Sequence, residues 1–287
     1  MKKELDYISQ HVKNTNILNL ADSNFGIIER DMEIARYISK LLEKTSYPEV
    51  VSCNLAKNQQ RIYELAKTLN AIIVISLQSL DDVVLKKAKR KNIDLSIFKK
   101  IIEKINNLGG ISGTEIILGL PGETKESHIK TLSELFNWDV SYIIGYNCLV
   151  LDGSELALSR ENKDFKCKTK YRLIDSSFGK YNGFYSFETE EGIRSTDTMS
   201  EQEILFFRPV HWLIQFLWDY RFYYDPLKYF KSIGINPLDY IISLMDKEKP
   251  QNISKLFKEF NKEAENEWFD SVKNSKTIIA NQRILKD

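Results

Sequence analysis

The sequence predicts an α/β protein built from repeated strand–helix units, followed by a mixed, mainly helical extension. Short apolar or β-branched runs begin near residues 17, 49, 71, 114 and 140, and amphipathic stretches of helical period separate them. Those intervals suit βα units, because a parallel strand needs a crossover of about a dozen residues or more to return. The composition agrees: 43% hydrophobic residues can build a core, and 28% charged residues do not suit a membrane protein. Units of this kind form either an open doubly wound sheet or a barrel.

The elements follow in order. Residues 2–11 read as a helix, and residues 17–21 (Ile-Leu-Asn-Leu-Ala) as a first strand. Residues 30–44 form a helix whose Ile34, Ile38, Leu41 and Leu42 share a face, with Glu29, Asp31 and Glu33 loading its first turn with negative charge. A second strand at residues 49–55 precedes a helix at 59–69, and the apolar run 71–77 suits a strand buried on both faces. Asp81 and Asp82 cap a short helix, and a longer one covers residues 96–108. A fourth strand at 114–120, a helix at 124–136 and a fifth strand within 140–151 complete the series. Residues 160–195 are polar and aromatic and read as irregular strands and turns. Beyond them, Ser200 and Glu203 form a capping box, and Asn236-Pro237 reads as an N-cap followed by proline at the first helical position. The last forty residues read as helical and highly charged. The division expected is 1–158 for the strand–helix units and 159–287 for the extension.

Composition also excludes functions. With 41 basic against 40 acidic residues, the net charge of +1 makes no electrostatic case for nucleic acid. No signal-peptide core or run of membrane-spanning length is visible, so a soluble, cytoplasmic protein is expected. Cys53, Cys148 and Cys167 match neither a disulfide framework nor a zinc spacing. Cys53 reads as a small core hydrophobe, Cys148 as buried and inert or as a reactive thiol, and Cys167 as an exposed bystander. His11 and His128 are expected on exposed helix faces, and His211 beside Trp212 in an apolar helix. No histidine or lysine stands at a strand end, so no general base of near-neutral pKa is evident there.

Parallel αβ folds bind ligands at the carboxyl ends of their strands. The residues at those ends are Asp22, Ser23 and Asn24 after the first strand, Cys53 and Asn54 after the second, Gln78 and Ser79 after the third, Gly119, Pro121, Gly122 and Glu123 after the fourth, and Asn147 and Cys148 after the fifth. The glycine–proline segment is either a ligand-facing loop with amides aimed at a polar molecule or an ordinary tight turn, since it is neither a dinucleotide fingerprint nor a P-loop. Asp22, Ser23 and Asn24 are ligand contacts or turn-formers, and Ser79 meets a ribose or helps Asp81 start the next helix.

These segments, in this order, resemble the radical S-adenosylmethionine superfamily, and within it the branch that carries an N-terminal cobalamin-binding domain. The resemblance rests on Ala21-Asp22-Ser23-Asn24-Phe25-Gly26-Ile27 with Arg30-Asp31, on Ile75-Ser76-Leu77-Gln78-Ser79-Leu80-Asp81 with Lys89-Arg90-Lys91-Asn92, on the run from Glu115 through Gly119-Leu120-Pro121-Gly122-Glu123-Thr124, and on Tyr146-Asn147. Weaker matches follow in Tyr171-Arg172-Leu173 and Ser195-Thr196-Asp197-Thr198-Met199-Ser200. It spans residues 5 to about 205, and its specificity lies in the serial order.

The resemblance implies a partial barrel in which a CxxxCxxC loop binds a [4Fe–4S] cluster whose open iron chelates S-adenosylmethionine. No CxxxCxxC occurs in this sequence. The expectation is therefore an incomplete (β/α) barrel of that type with about five strands, the first βα unit and the cobalamin domain preceding Met1 on an upstream polypeptide. The chain would be a fragment of a radical enzyme performing methyl transfer or rearrangement on an unknown substrate, inactive alone. The alternatives are a non-catalytic remnant or interaction module that retains the scaffold, and an unrelated enzyme using the 119–123 loop for an anion. By the resemblance, Asp22, Ser23 and Asn24 meet the methionyl amine, Gln78 and Ser79 the ribose, and Gly119, Pro121, Gly122, Glu123 and Asn147 the adenine. S-adenosylmethionine, the cluster and possibly cobalamin are implied cofactors, with no metal ligand in the chain itself. An open apolar edge at residues 17–20 is further expected to make the isolated chain self-associate.

Overall fold

The computed structural model describes residues 1–55, 59–69, 71–159, 166–246 and 249–272. In chain order the elements are α1 (Lys2–His11), β1 (Ile17–Phe25), α2 (Glu29–Thr45), β2 (Val50–Leu55), α3 (Gln59–Thr68), β3 (Ala71–Val74), α4 (Asp82–Lys87), α5 (Leu95–Asn107), β4 (Ile111–Leu118), α6 (Lys125–Asn137), β5 (Tyr142–Asn147) and α7 (Glu155–Ser159). Then come β6 (Lys168–Tyr181), β7 (Phe184–Ser195), α8 (Glu201–Ile214), a π-helical turn (Gln215–Asp219), α9 (Tyr224–Ser232), α10 (Pro237–Asp246) and α11 (Gln251–Asn266). The last expected helical stretch lies outside the described residues beyond position 272.

The first five strands form one parallel sheet in the order β1-β2-β3-β4-β5. Each strand lies beside its predecessor, without the reversal a doubly wound sheet needs, and this decides for the incomplete α/β barrel. Burial shows which face carries the helices. Leu18, Leu20, Val51, Cys53, Leu55, Ile73, Ile116, Leu118 and Ile143 are buried on one face. Asn19, Ser52, Asn54, Glu115, Ile144 and Tyr146, at the alternate positions, are half-buried or exposed. Cross-strand pairs Leu20↔Cys53↔Ile73 and Thr114↔Ile143 align the covered face. The other face, which a closed barrel would fill with side chains, stays open.

Local chemistry accounts for the element starts. Asp81 accepts the Val83 and Val84 N–H groups at 2.8 and 3.1 Å and caps α4. Ser200 and Glu203 close their box on α8, and Asn236 accepts the Leu238 N–H at 2.9 Å ahead of Pro237. Residues 168–195 are the expected strands and turn, paired as one long antiparallel hairpin whose register shifts between Lys168 and Thr169 and between Leu173 and Phe178, turning at Asn182-Gly183, both with positive φ (48° and 85°). That is the Asn-Gly chemistry of a two-residue hairpin turn. The base of the hairpin joins the barrel, where Ile193 and Val150 exchange backbone bonds with Cys148 and Glu191. Among the described residues no helix is long and apolar enough to cross a membrane.

Candidate functional site

The open face of the sheet and the carboxyl ends of its strands collect the polar side chains that α/β chemistry would use. Between the pairs Leu20↔Cys53 and Phe25↔Leu55, β2 has only Asn54 while β1 carries residues 21–24. This bulge pushes Asp22 and Asn24 into solvent, and the Asn24 N–H donates to Asp22 Oδ1 at 2.8 Å. The side chain of Ser23 lies outside what is described. Beneath the bulge, buried Asp31 accepts the Gly26 and Ile28 N–H groups at 2.9 and 3.3 Å and ties the loop to α2.

Gln78 is the most telling residue. It takes a left-handed conformation (φ 67°) just past β3 and rejoins the sheet, donating its N–H to the Glu115 carbonyl at 2.8 Å and accepting the Ile117 N–H at 2.9 Å. Its side-chain Oε1 is buried without a hydrogen-bond partner. A buried carbonyl left this way costs roughly 1–3 kcal/mol, so a donor from a ligand has something to gain there. Alongside, Ser76 donates its hydroxyl to the Glu115 carboxylate. Burial and then the Glu115 charge push the Tyr146 phenol upward. The sequence places Asn54 at the end of the second strand and Ser76, Glu115 and Tyr146 within the segments that carry the resemblance, but assigns none of them a contact, although a polar residue at alternate positions of an apolar strand signals an open face.

Other expected contacts are turned inward. Ser79 is 1% exposed, and its hydroxyl accepts the Asp81 N–H at 3.2 Å, the helix-starting role rather than a ribose contact. In the 119–123 loop, Gly119 has a φ of +87°, which favours glycine, but its N–H goes to the buried Glu123 carboxylate at 2.7 Å. The Gly119 amide and the Glu123 carboxylate thus hold the turn itself, while Pro121 and Gly122 are half-buried at its tip. Asn147 lies on the helix-covered side, opposite Leu118, and lines a separate cavity.

Glu123 continues into a chain that sequence reading missed. His128 is fully buried on α6, not exposed as expected. Its Nδ1 meets Glu123 Oε1 at 2.8 Å, and its Nε2 meets His211 Nε2 at 2.9 Å. One of the two Nε2 atoms donates to the other, so the tautomer of each imidazole fixes that of its partner. Burial, then His128 and Arg208, hold the His211 pKa well below the ordinary imidazole value. The two histidines are 83 positions apart, so no local spacing announces them.

The thiols do not form a metal site. Burial raises Cys53 and Cys148 to about 12, with Glu123 adding to the effect at Cys148. Cys167 is half-buried. Among the described residues no group of three histidine, cysteine, aspartate or glutamate side chains could hold a metal ion. The described residues thus offer polar strand ends, with an unpartnered acceptor on Gln78, and no metal-ligating group.

Comparison with known proteins agrees with this reading. No family model matches the chain. It is 34% identical over 133 residues to a 2-(S-pantetheinyl)-carbapenam-3-carboxylate methyltransferase from Streptantibioticus cattleyicolor. It is 33% identical, over the same length, to the cobalamin-dependent radical SAM methyltransferase TokK from Streptomyces tokunonensis. Each match covers 44% of this chain and 19% of the relative, so the chain spans about a fifth of the length of the curated relatives it matches. Among solved structures, the radical S-adenosylmethionine methyltransferase TsrM from Kitasatospora setae, bound to tryptophan and a SAM analogue, is 13% identical. That match covers 61% of this chain and 35% of TsrM, with a TM-score of 0.46. Both curated relatives are methyltransferases, TokK a cobalamin-dependent radical SAM enzyme, and the resemblance to that superfamily is borne out.

Proposed function

We propose that this chain forms the adenosyl-facing part of a cobalamin-dependent radical S-adenosylmethionine methyltransferase, with the cluster ligands supplied by a partner polypeptide or by a segment outside this sequence. The observation that carries the reading is the buried, unpartnered Gln78 Oε1 at the carboxyl end of β3, within the strand-end series shared with that family. Gln78 accepts a hydrogen bond from a ribose hydroxyl. Asp22 and Asn24, in solvent on the β1 bulge, meet the methionyl amine, and the tip of the 119–123 loop borders the adenine. Glu115, with Ser76 and Tyr146, makes the polar floor on which a substrate would sit. When bound beside a cluster, S-adenosylmethionine supplies the adenosyl radical of this superfamily.

Titration with S-adenosylmethionine tests the binding half of the proposal. Saturable binding is expected, weakened on the order of tenfold in Gln78→Leu, the effect of losing one hydrogen bond to a buried group. Anaerobic iron–sulfide reconstitution tests the other half. The chain alone should take up no stoichiometric cluster, and a full [4Fe–4S] cluster on it would overturn the proposal. A second reading, a non-catalytic module that keeps the scaffold, is favoured by the lack of a metal-binding group among the described residues. It predicts no S-adenosylmethionine binding at all.

A further inference from the structure

The cavity that receives Asn147 lies along the outer edge of β5. Its volume is about 270 Å³, just under the roughly 300 Å³ at which ordinary small-molecule sites begin. One wall is the outer edge of β5, with Ile143, Ile144, Gly145 and Asn147; the other is the stripe Arg208, His211, Gln215 and Asp219 along α8 and the π-helical turn, with Trp212 and Phe260 as an apolar side. His211 lies so close over Gly145 that a Cβ there would meet Nδ1 at 2.5 Å, so any other residue at 145 would block the contact. The Ile143 N–H points to this edge and reaches Asp219 Oδ1 at 3.0 Å. Alternation along a parallel strand turns the Gly145 and Asn147 amides the same way.

The charges on this wall are uneven. Burial pushes Asp219 up to about 8, with the Ile143 N–H and Arg221 only partly opposing it, so the carboxyl is mainly protonated at neutral pH. With Oδ1 occupied by Ile143, the acid proton sits on Oδ2 as a donor. His211, flanked by His128 and Arg208, is neutral. Arg208 then carries the formal charge of the lining; its ion pair with Glu267, outside the lining, is long at 3.6 Å, and its guanidinium lies 5.7 Å from the Phe260 ring. A cationic head, backbone donors and one aromatic side describe a receptor for a small organic anion.

We propose that the cavity between β5 and the Arg208–Asp219 stripe binds a small monocarboxylate, its head on Arg208 and its apolar body against the side formed by the Trp212 and Phe260 rings, which pack on each other at 5.6 Å. The proposal is independent of the S-adenosylmethionine reading, because the cavity lies along the outer edge of β5 and is lined by none of the residues offered for that cofactor except Asn147. The test is titration of the intact chain at pH 7 with benzoate and, in parallel, with uncharged benzamide, following tryptophan fluorescence and backbone amide shifts. Benzoate should saturate, with shifts at Gly145, Asn147 and Gln215, and benzamide should bind at least about tenfold more weakly. Arg208→Gln should weaken benzoate by a similar factor, with its thermal melt recorded as a folding control. Equal binding of the two probes, shifts elsewhere, an unaffected Arg208→Gln protein or no saturation would each overturn the proposal. Because the amide map and the benzamide comparison use the parent chain, the outcome stands even if the variant fails to fold.

Discussion

At one edge of the sheet, β5 is covered by material from more than seventy residues downstream. Asp219 accepts the Ile143 N–H, and Trp218, fully buried, donates its indole N–H to the Val140 carbonyl at 2.9 Å while packing edge-on to Phe136. At the other edge, β1 pairs only with β2 among the described residues, Ile17 is 47% exposed, and Asn19 and Ala21 face solvent. A sheet edge left with free amides templates further pairing, so the two ends carry opposite liabilities. The covered edge belongs to the stability of this chain. The bare edge is where the proposed cluster-bearing segment has room to add a strand.

Substitutions at the two edges should separate these roles. Trp218→Ala, which empties a fully buried site and orphans the Val140 carbonyl, should cost about 3–5 kcal/mol in denaturant unfolding. A loss below 1 kcal/mol would show that the C-terminal helices do not support β5. His128→Leu interrupts the Glu123–His128–His211 chain behind the same edge and should cost about 2–4 kcal/mol, leaving two buried polar groups short of a partner.

Asp219 adds a pH signature to the covered edge. Its pKa rises from an ordinary 3.8 to about 8 on folding, so between those values the unfolded chain loses a proton that the folded chain keeps. The contribution is whole below pH 3.8 and is lost as pH rises toward 8, by at most about 1.4 kcal/mol per pH unit. Asp219→Asn keeps the acceptor for Ile143 and removes the titration. Its stability relative to the parent should rise by at least about 1 kcal/mol between pH 5 and pH 8, and parallel pH curves would refute the assignment. The smallest stability effect belongs to the bare edge. Ile17→Lys should change unfolding by no more than about 0.5 kcal/mol yet shift the chain toward monomer in sedimentation at high concentration. A parent already monomeric there would remove the contrast.

What the sequence disclosed follows the range of the forces involved. The βα order, the Asp81 cap, the Ser200–Glu203 box and the Asn236-Pro237 helix start are local, and they were readable. The strands and turn of 168–195 are legible, while their pairing into one hairpin is not, although Asn182-Gly183 is a local signal for it. His128 looked exposed because its partners lie on α8 and in a turn, and only tertiary packing joins them. Of the expected site residues, Asp22 and Asn24 reach solvent at the rim, and Gln78 rejoins the sheet opposite Ile116 with its side-chain oxygen buried. Ser79 and Glu123 point inward for caps and turns, and the one-residue alternation along β5 puts Asn147 on the other side. Strand-end position is legible in sequence; the facing of each side chain depends on register.

The most direct test of the account is the backbone amide shift map of the parent chain during titration with S-adenosylmethionine. The account predicts saturable shifts at Gln78, at Asp22 and Asn24, and at Gly122, with Gly145 and Gln215 at the outer edge of β5 unmoved. Shifts confined to Gly145 and Gln215, or none at all, would contradict the claim that the open face of this half-barrel holds the cofactor.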